Sequence, residues 1–570
     1  MARIALWLAL PTAAWSGMAL SLGWRRRDAL MFRSGVLASY AVAISWTAAA
    51  SCQRGEIILW GTAIAWFAVA MGRRGRRFIP TQVPYISAIM MAVLLGITAV
   101  ALTEAMANRP ASPMPLFDVR VDGIAKIVAT IGCAGCAALF AAAIGGVLAG
   151  EVAEGWAGFL RGLAGMAWLG LLFGMGGMLF LGQERFGTLF ASPYSIGGYL
   201  APWCLVSALM QTLIVQERRG NFKRASVLLS TLAFFASLPV IFGDLSRPGR
   251  MTGLGVFGAM AIGGWWCVRR RRSVMLPRHP IESRRSKEGL IAVMVGLWGA
   301  VALSVSLANA VALFPPAVAR VLQPGVAIAA NAAVAALGLL VLVGWALFPI
   351  VSWWRTDPRS LRRNLVRPVG AALFTASALI AVGERRPWWL ATVAAAVFAA
   401  ALLLLEIARG SAVARQGAPR LPWLAALACF FRGPRRPAGR MCAVAGLALG
   451  ALGIAGYSAV AWHSAMVSPG ASTSLAGYRV EYRQGTEAEL FVWRRERLVR
   501  RVRLSSADQT AIIRTWRDDL RIAVGAAPEA PDGSEASPAR AIAVRVAPFA
   551  NGVWIGLGWL VLGGALLAWP

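Results

Sequence analysis

Apolar runs long enough to cross a lipid bilayer recur along almost the whole chain, and they constrain the fold more than any motif does. A transmembrane helix needs roughly 20 mostly apolar residues, and about 15 stretches reach or approach that length. Hydrophobic residues make up 58% of the 570 residues. Because the bilayer core offers no partners for backbone N–H and C=O groups, segments that span it must be helices. We therefore expect an all-α polytopic membrane protein with about 15 transmembrane helices.

The order of these runs predicts a membrane domain at 1–463, a soluble segment at 464–546 and a final transmembrane helix at 547–570. The predicted spans are 3–23, 33–51, 56–72, 84–104, 124–149, 159–182, 195–216, 224–243, 251–268, 289–312, 324–353, 367–382, 387–409, 439–463 and 547–569.

The soluble segment has the sequence pattern of a small mixed α/β domain. Alternating residues predict strands at 478–482, 488–493 and 497–504. A helical pattern follows over 506–521, with polar capping residues near its start. A stretch rich in Ala, Pro, Gly and Ser at 525–539 indicates a linker.

The formal net charge of +32 would suggest a nucleic-acid partner in a soluble protein. Here the basic residues cluster in alternate short loops, which is the positive-inside pattern of membrane proteins, and we expect no nucleic acid. The pattern places the N-terminus and segment 464–546 in the periplasm and the C-terminus in the cytoplasm. The basic clusters are Arg25–Arg27, Arg73–Arg77, Arg218–Arg224, Arg269–Arg272, Arg284–Lys287, Arg355–Arg363 and Arg432–Arg440.

Chemical motifs are scarce. Cys133 and Cys136 form a Cys-Ala-Gly-Cys motif inside an apolar run, where small side chains favour helix packing over redox chemistry. No phosphate-binding loop, nucleophile elbow, metal-binding cluster or pair of catalytic carboxylates stands out, so we assign no catalytic residue and no metal site.

Several separated stretches resemble the CcmF/NrfE family, the polytopic haem lyases of bacterial cytochrome c maturation. The most extensive likeness is APWCLVSALMQTLIVQERRGNFK, from Ala201 to Lys223. The other stretches are RGEIILW (Arg54–Trp60), IGCAGCAALFAAAI (Ile131–Ile144), FGDLSRPGRMTGLGVF (Phe242–Phe257), GLALGALGIAG (Gly446–Gly456) and PFANGVWIGLGW (Pro548–Trp559).

The resemblance implies a function in cytochrome c maturation in the bacterial inner membrane. Members of the family present haem at the periplasmic face and join it to the thiols of apocytochrome c. The resemblance therefore implies haem as a cofactor. It also implies three kinds of partner: a haem chaperone, a thioredoxin-like subunit and an apocytochrome-binding subunit.

The family's haem histidines are replaced in this sequence. The resemblance aligns Ala125, Gln211, Gly255 and Val444 with two periplasmic and two intramembrane histidines. None of the four is a strong axial ligand, since haem iron takes imidazole, thiolate, thioether or phenolate. The family's tryptophan-rich motif should fall at about 182–197, where this sequence has no tryptophan.

Other residues remain as candidate contacts to haem or to a partner. His463 lies at the end of a predicted span, and the other histidine, His279, lies in a basic loop. Arg247 and Arg250 lie in a predicted periplasmic loop, and guanidinium groups bind carboxylates such as haem propionates. Gln211 is either a site residue or an amide that joins helices by hydrogen bonds.

Two interpretations stay open within the family. The chain is either an active lyase, with haem held by propionate contacts and a ligand from a partner, or a haem-free scaffold that keeps the docking surfaces. Outside the family, a small-molecule transporter and a purely structural membrane subunit remain alternatives. A transporter is typically built from inverted repeats or broken helices, and neither is clear here.

Overall fold

The structure is a computed structural model that describes most of the chain. The described residues are 2–52, 56–78, 81–106, 121–150, 154–180, 196–242, 248–277, 283, 285–311, 316–417, 422–423, 425, 435–458, 462–468, 470–475, 477–484, 488–504, 510–514, 518–524, 540–548 and 551–568.

Each predicted span overlaps one long helix. Two predicted spans run too far at their ends: 324–353 continues past the helix end at Leu347, and 439–463 includes Trp462 and His463, which belong to a strand. The helices are α1 (Ala2–Arg25), α2 (Ala29–Cys52), α3 (Glu56–Phe78), α4 (Val83–Met106), α5 (Val121–Ala149), α6 (Glu154–Phe180), α7 (Ile196–Arg219), α8 (Lys223–Phe242), α9 (Pro248–Arg270), α10 (Lys287–Ala310), α11 (Pro316–Leu347), α12 (Pro358–Ala381), α13 (Pro387–Gly417), α14 (Arg435–Ser458) and α15 (Asn551–Ala568).

Among the described residues, 11 helices are long and apolar enough to cross a membrane. Apolar side chains that are strongly exposed, such as Leu30, Val321, Phe374 and Val382, lie on helices or at their ends. The chain is therefore a polytopic α-helical membrane protein, as the apolar runs predict.

Contacts between residues divide the chain into two compact units. The first comprises 1–365, 405–443 and 561–570, and the second comprises 366–404 and 444–560. In the first unit α1 packs on α2 and α4, α5 packs on α6, and α7 packs on α6, α8 and α10. The second unit contains all the strands.

Helices α5 and α6 approach each other along a stripe of small residues. A Cβ atom added at Gly174 would overlap the side chain of Ala129, and one added at Gly132 would lie 2.5 Å from the backbone nitrogen of Leu171. Such contacts require residues with little or no side chain and hold transmembrane helices together by close packing. Cys133 and Cys136 are buried in α5 and are not joined to each other, which fits a packing function.

The described strands near the C-terminus form two four-stranded antiparallel sheets. The strands are β1 (Trp462–Val467), β2 (Ser472–Leu475), β3 (Tyr478–Gln484), β4 (Ala488–Arg494), β5 (Arg497–Leu504), β6 (Thr510–Arg514), β7 (Asp518–Val524) and β8 (Arg540–Pro548). Their order is β1-β8-β7-β6 in one sheet and β2-β3-β4-β5 in the other. Alternate residues from both sheets, such as Val480, Tyr482, Leu490, Ile522 and Val544, form one hydrophobic core.

Strands β3, β4 and β5 confirm the three strands predicted from alternation. The helix predicted over 506–521 is wrong, because its described part forms strands β6 and β7. Leu520, Ile522 and Val524 are buried at a spacing of two, and Ile522 pairs with Val544 of β8. Pairing with a distant strand therefore overrides the local helical pattern. The predicted linker at 525–539 lies outside the described residues.

The strands extend slightly beyond the predicted soluble segment 464–546. β1 begins at Trp462 and β8 ends at Pro548, and α15 starts at Asn551.

We expect Gly174→Ala to lower the thermal stability of the detergent-solubilised protein. The added methyl group would overlap Ala129, and the two helix backbones cannot move apart locally. The overlap should lower the free energy of unfolding by about 1–3 kcal/mol. The readout is the temperature at which the monodisperse peak is lost in size-exclusion chromatography after heating.

Gly162→Ala on the same helix is the matched control. A Cβ atom at Gly162 meets nothing within 4 Å. This variant should keep or slightly raise the stability, since alanine is the better helix former by roughly 0.5–1 kcal/mol. Equal stability of the two variants would contradict close packing of α5 on α6.

Candidate functional site

Gln211 lies buried in α7, with 5% of its surface exposed. In the amide orientation that satisfies its surroundings, its side-chain oxygen accepts hydrogen bonds from two indole nitrogens. The donors are Nε1 of Trp298 on α10, at 2.8 Å, and Nε1 of Trp345 on α11, at 3.2 Å. One amide thus joins three helices, and the arrangement is that of an interhelical polar contact inside an apolar bundle.

Two more tryptophans continue this arrangement. Trp203 of α7 lies edge-on to Trp298, with ring centroids 5.5 Å apart, and Trp168 of α6 lies 5.6 Å from Trp203. We name Trp168, Trp203, Trp298 and Trp345 the tryptophan cluster. Such edge and tilted contacts between rings are the favoured geometries for aromatic pairs.

The sequence of α7 explains why the cluster forms there. Trp203, Ser207 and Gln211 follow one another at intervals of four residues and so share one helix face. The Ser207 hydroxyl accepts a hydrogen bond from Nε1 of Trp168 at 2.8 Å and donates to the carbonyl of Trp203. The two polar side chains on this face therefore accept the indole N–H groups that neighbouring helices present.

Trp203 differs from its neighbours in the cluster. Its Nε1 is buried and has no hydrogen-bond partner among the described residues. Indole nitrogen is a hydrogen-bond donor only, so Trp203 leaves the cluster with one unused donor.

The position of Ala125 is closed by helix packing. Ala125 of α5 is 5% exposed, and its Cβ occupies the space into which a Cβ at Gly177 of α6 would point. A larger side chain at position 125 would separate the two helices.

The other two aligned positions have different surroundings. Gly255 of α9 is exposed, and a Cβ built there meets nothing within 4 Å. Val444 of α14 is buried, with 1% exposed. Valine has only an aliphatic side chain and glycine has none, so neither residue can bind a metal ion through its side chain.

His463 lies in strand β1, opposite Val544 of β8, and is exposed. It is the one histidine in the part of the chain that the structure describes, since His279 lies outside that part. Arg250 lies in the first turn of α9, and Arg247 lies outside the described residues.

Comparison with known proteins finds a similar fold but no match to a family model or a curated sequence. Neither a family model nor a curated protein matches the sequence. Among solved structures, the chain is similar to cytochrome c haem lyase CcmF, with a TM-score of 0.74 and 18% sequence identity. The match covers 100% of this chain and 98% of that one.

The chain has the fold of CcmF. The similarity extends over essentially the full length of both proteins, from α1 to α15. At 18% identity this similarity shows the fold alone and does not show which side chains the two proteins share.

The four aligned positions do not fit a haem iron. At positions 125, 211, 255 and 444 the chain places a packed methyl group, an amide bonded to two indoles, a glycine and a buried valine. None supplies a side chain of the kind that binds haem iron. Groups of three or more potential metal ligands are also absent from the described residues.

The sequence analysis does not predict the tryptophan cluster, although the sequence contains a signal for it. Its four members lie eight or more residues inside the predicted spans. Interfacial tryptophans lie at span ends, as Trp265, Trp266, Trp354 and Trp388 do here. Tryptophans deep in a span carry an N–H group that needs a partner, which points to a polar residue such as Gln211.

We expect Gln211→Met to destabilise the protein, because it leaves two indole N–H groups without an acceptor. The cost of an unsatisfied buried donor is about 1–3 kcal/mol per group. Leu213→Met on the same helix is the matched control, since it keeps the volume of a fully buried side chain.

A double-mutant cycle shows whether the indoles are the cause. In the background of Trp298→Phe and Trp345→Phe, which lacks both donors, Gln211→Met should cost much less than in the wild type. An equal cost in both backgrounds would contradict the hydrogen bonds between Gln211 and the indoles.

Proposed function

We propose that the chain is a haem-free scaffold of cytochrome c maturation in the bacterial inner membrane. The observation that carries the proposal is at position 211. The chain has the fold of CcmF, and position 211, which the sequence resemblance pairs with an intramembrane haem histidine, holds an amide that is bonded to two indoles from neighbouring helices. Forming an iron site there would break these bonds and leave three polar groups unpaired in an apolar interior.

The remaining aligned positions support the same proposal. Ala125 is fixed by the approach of α5 to α6, and Val444 is buried. A scaffold needs a CcmF-like fold, which the chain has. It does not need an iron ligand. This favours the scaffold over the active lyase of the two family interpretations.

The proposed orientation follows from the basic loops. With the N-terminus in the periplasm, the β domain also faces the periplasm, where apocytochromes are assembled. Helix α9 then begins at the periplasmic face, so Arg250, in its first turn, lies on the side from which a partner approaches. We assign Arg247 and Arg250 to partner contact, because guanidinium groups bind carboxylates in a bidentate manner.

The proposed partners are the haem chaperone and the thioredoxin-like and apocytochrome-binding subunits of the maturation complex. Haem is then handled by those subunits, and the chain holds them together. His463, exposed on β1, is not required in this scheme.

The test is a chromosomal deletion in the source organism, followed by staining of membrane proteins for covalently bound haem. We expect the deletion to lower the amounts of c-type cytochromes while b-type haem stays unchanged. Plasmid copies of the wild type and of His463→Ala should both restore them. Unchanged c-type cytochromes in the deletion strain would contradict the proposal and favour a transporter or an unrelated structural subunit.

Partner binding provides a second readout. The double variant Arg247→Ala, Arg250→Ala should retain less of the maturation subunits in affinity purification from detergent extracts. Arg385→Ala, which removes an exposed arginine between α12 and α13, is the control and should retain them fully. Equal retention by both variants would remove Arg247 and Arg250 from the interface.

A further inference from the structure

Three cationic side chains converge on two aromatic rings at one end of the helix bundle. Nζ of Lys287 lies 5.1 Å from the ring centroid of Phe348 and 5.4 Å from that of Trp353. The guanidinium carbon of Arg218 lies 4.8 Å from the Trp353 ring, and that of Arg440 lies 5.3 Å from the Phe348 ring. We name Arg218, Lys287 and Arg440 the cationic triad.

The triad carries more positive charge than its surroundings neutralise. Glu406 of α13 forms an ion pair with Arg440, and both side chains are 15% exposed. No other described carboxylate lies within ion-pair distance of Arg218, Lys287 or Arg440. The neighbouring Arg219 adds no net charge, because it pairs with Glu288 at 3.5 Å.

Polar atoms of the triad also lack partners. Nε of Arg440 is buried without a hydrogen-bond acceptor among the described residues, and the Lys287 ammonium lies over two aromatic rings and forms no ion pair in the described residues. Cation–π contacts offset part of the cost of partial burial, but they do not replace a hydrogen-bond acceptor. Three cations and one carboxylate therefore leave a partly buried site that favours an anion.

The backbone holds the triad and its rings in place. The N–H of Lys287 donates to the carbonyl of Ser352 at 2.8 Å, and the N–H of Thr356 donates to the carbonyl of Arg285 at 3.0 Å. These bonds fix the segment that carries Phe348 and Trp353 against the start of α10. The site is consequently formed before any ligand binds.

We propose that the cationic triad binds the phosphodiester group of a membrane phospholipid. The triad lies where α7 ends and α10 and α14 begin, and Trp354 beside it is exposed in the manner of an interfacial anchor. Basic pockets between transmembrane helices bind phospholipid head groups. The second carboxylate oxygen of Glu406, Oε2, is buried without a hydrogen bond and would repel a second negative charge. A phosphodiester, with one charge, therefore fits better than a dianionic phosphate monoester.

The test uses the full chain, purified and stripped of lipid in detergent. Phosphatidylglycerol, titrated into the protein, should raise the unfolding temperature, and native mass spectrometry should show a bound lipid. Lys287→Gln and Arg218→Gln should each weaken lipid binding about fivefold, since one basic side chain near the surface contributes roughly that factor. Neither substitution separates the Arg440–Glu406 pair, so the fold should persist.

Arg359→Gln is the matched control, because Arg359 is an exposed arginine in the first turn of α12 and lies outside the triad. It should bind lipid like the wild type. Diacylglycerol, which lacks the phosphodiester, should not stabilise the protein. Equal binding by all three variants would overturn the site, and equal stabilisation by inorganic phosphate would overturn the lipid as its source.

Discussion

Close approach of helix backbones at small residues is the constraint on which the rest of this structure depends. In a bilayer the lipid chains are as apolar as leucine, so burial of apolar surface does not drive helices together, and van der Waals contact must do so. Ala129 and Gly174 bring α5 and α6 together, and a Cβ atom added at Gly446 of α14 would lie only 2.7 Å from the backbone of α15. Where the backbones approach this closely, no room remains for a large ligand side chain, as Ala125 shows.

Polar groups inside the bundle follow from the same constraint. An amide or an indole N–H in an apolar interior needs a partner in the protein, since water is absent. Gln211 and Ser207 meet this need for three members of the tryptophan cluster. The cluster thus stabilises the junction of α6, α7, α10 and α11, and it occupies the space that an axial ligand at position 211 would require. The side-chain oxygen of Gln211 is thereby already engaged by two hydrogen bonds.

The sequence predicts this fold well and the candidate site only in part. Run length alone predicts each long helix, and alternation predicts β3 to β5, because these patterns are local. The local pattern predicts a helix where β6 and β7 lie, because the pairing of β7 with β8 depends on residues far along the chain. The correspondence of positions 125, 211, 255 and 444 with the family's haem histidines is implied by the sequence resemblance alone. Two features depend on which helices are neighbours: the hydrogen bonds of Gln211 with Trp298 and Trp345, and the packing of Ala125 against Gly177. The periodicity of a single segment does not reveal which helices are neighbours.

The most direct test of the haem-free scaffold is a pyridine haemochrome spectrum of the protein purified in detergent from cells that make haem normally. A haem-free scaffold should show no Soret band and no reduced α band, like a purified membrane protein that lacks haem. A stoichiometric haemochrome spectrum would contradict it, because iron would then have a ligand that the residues at positions 125, 211, 255 and 444 do not supply.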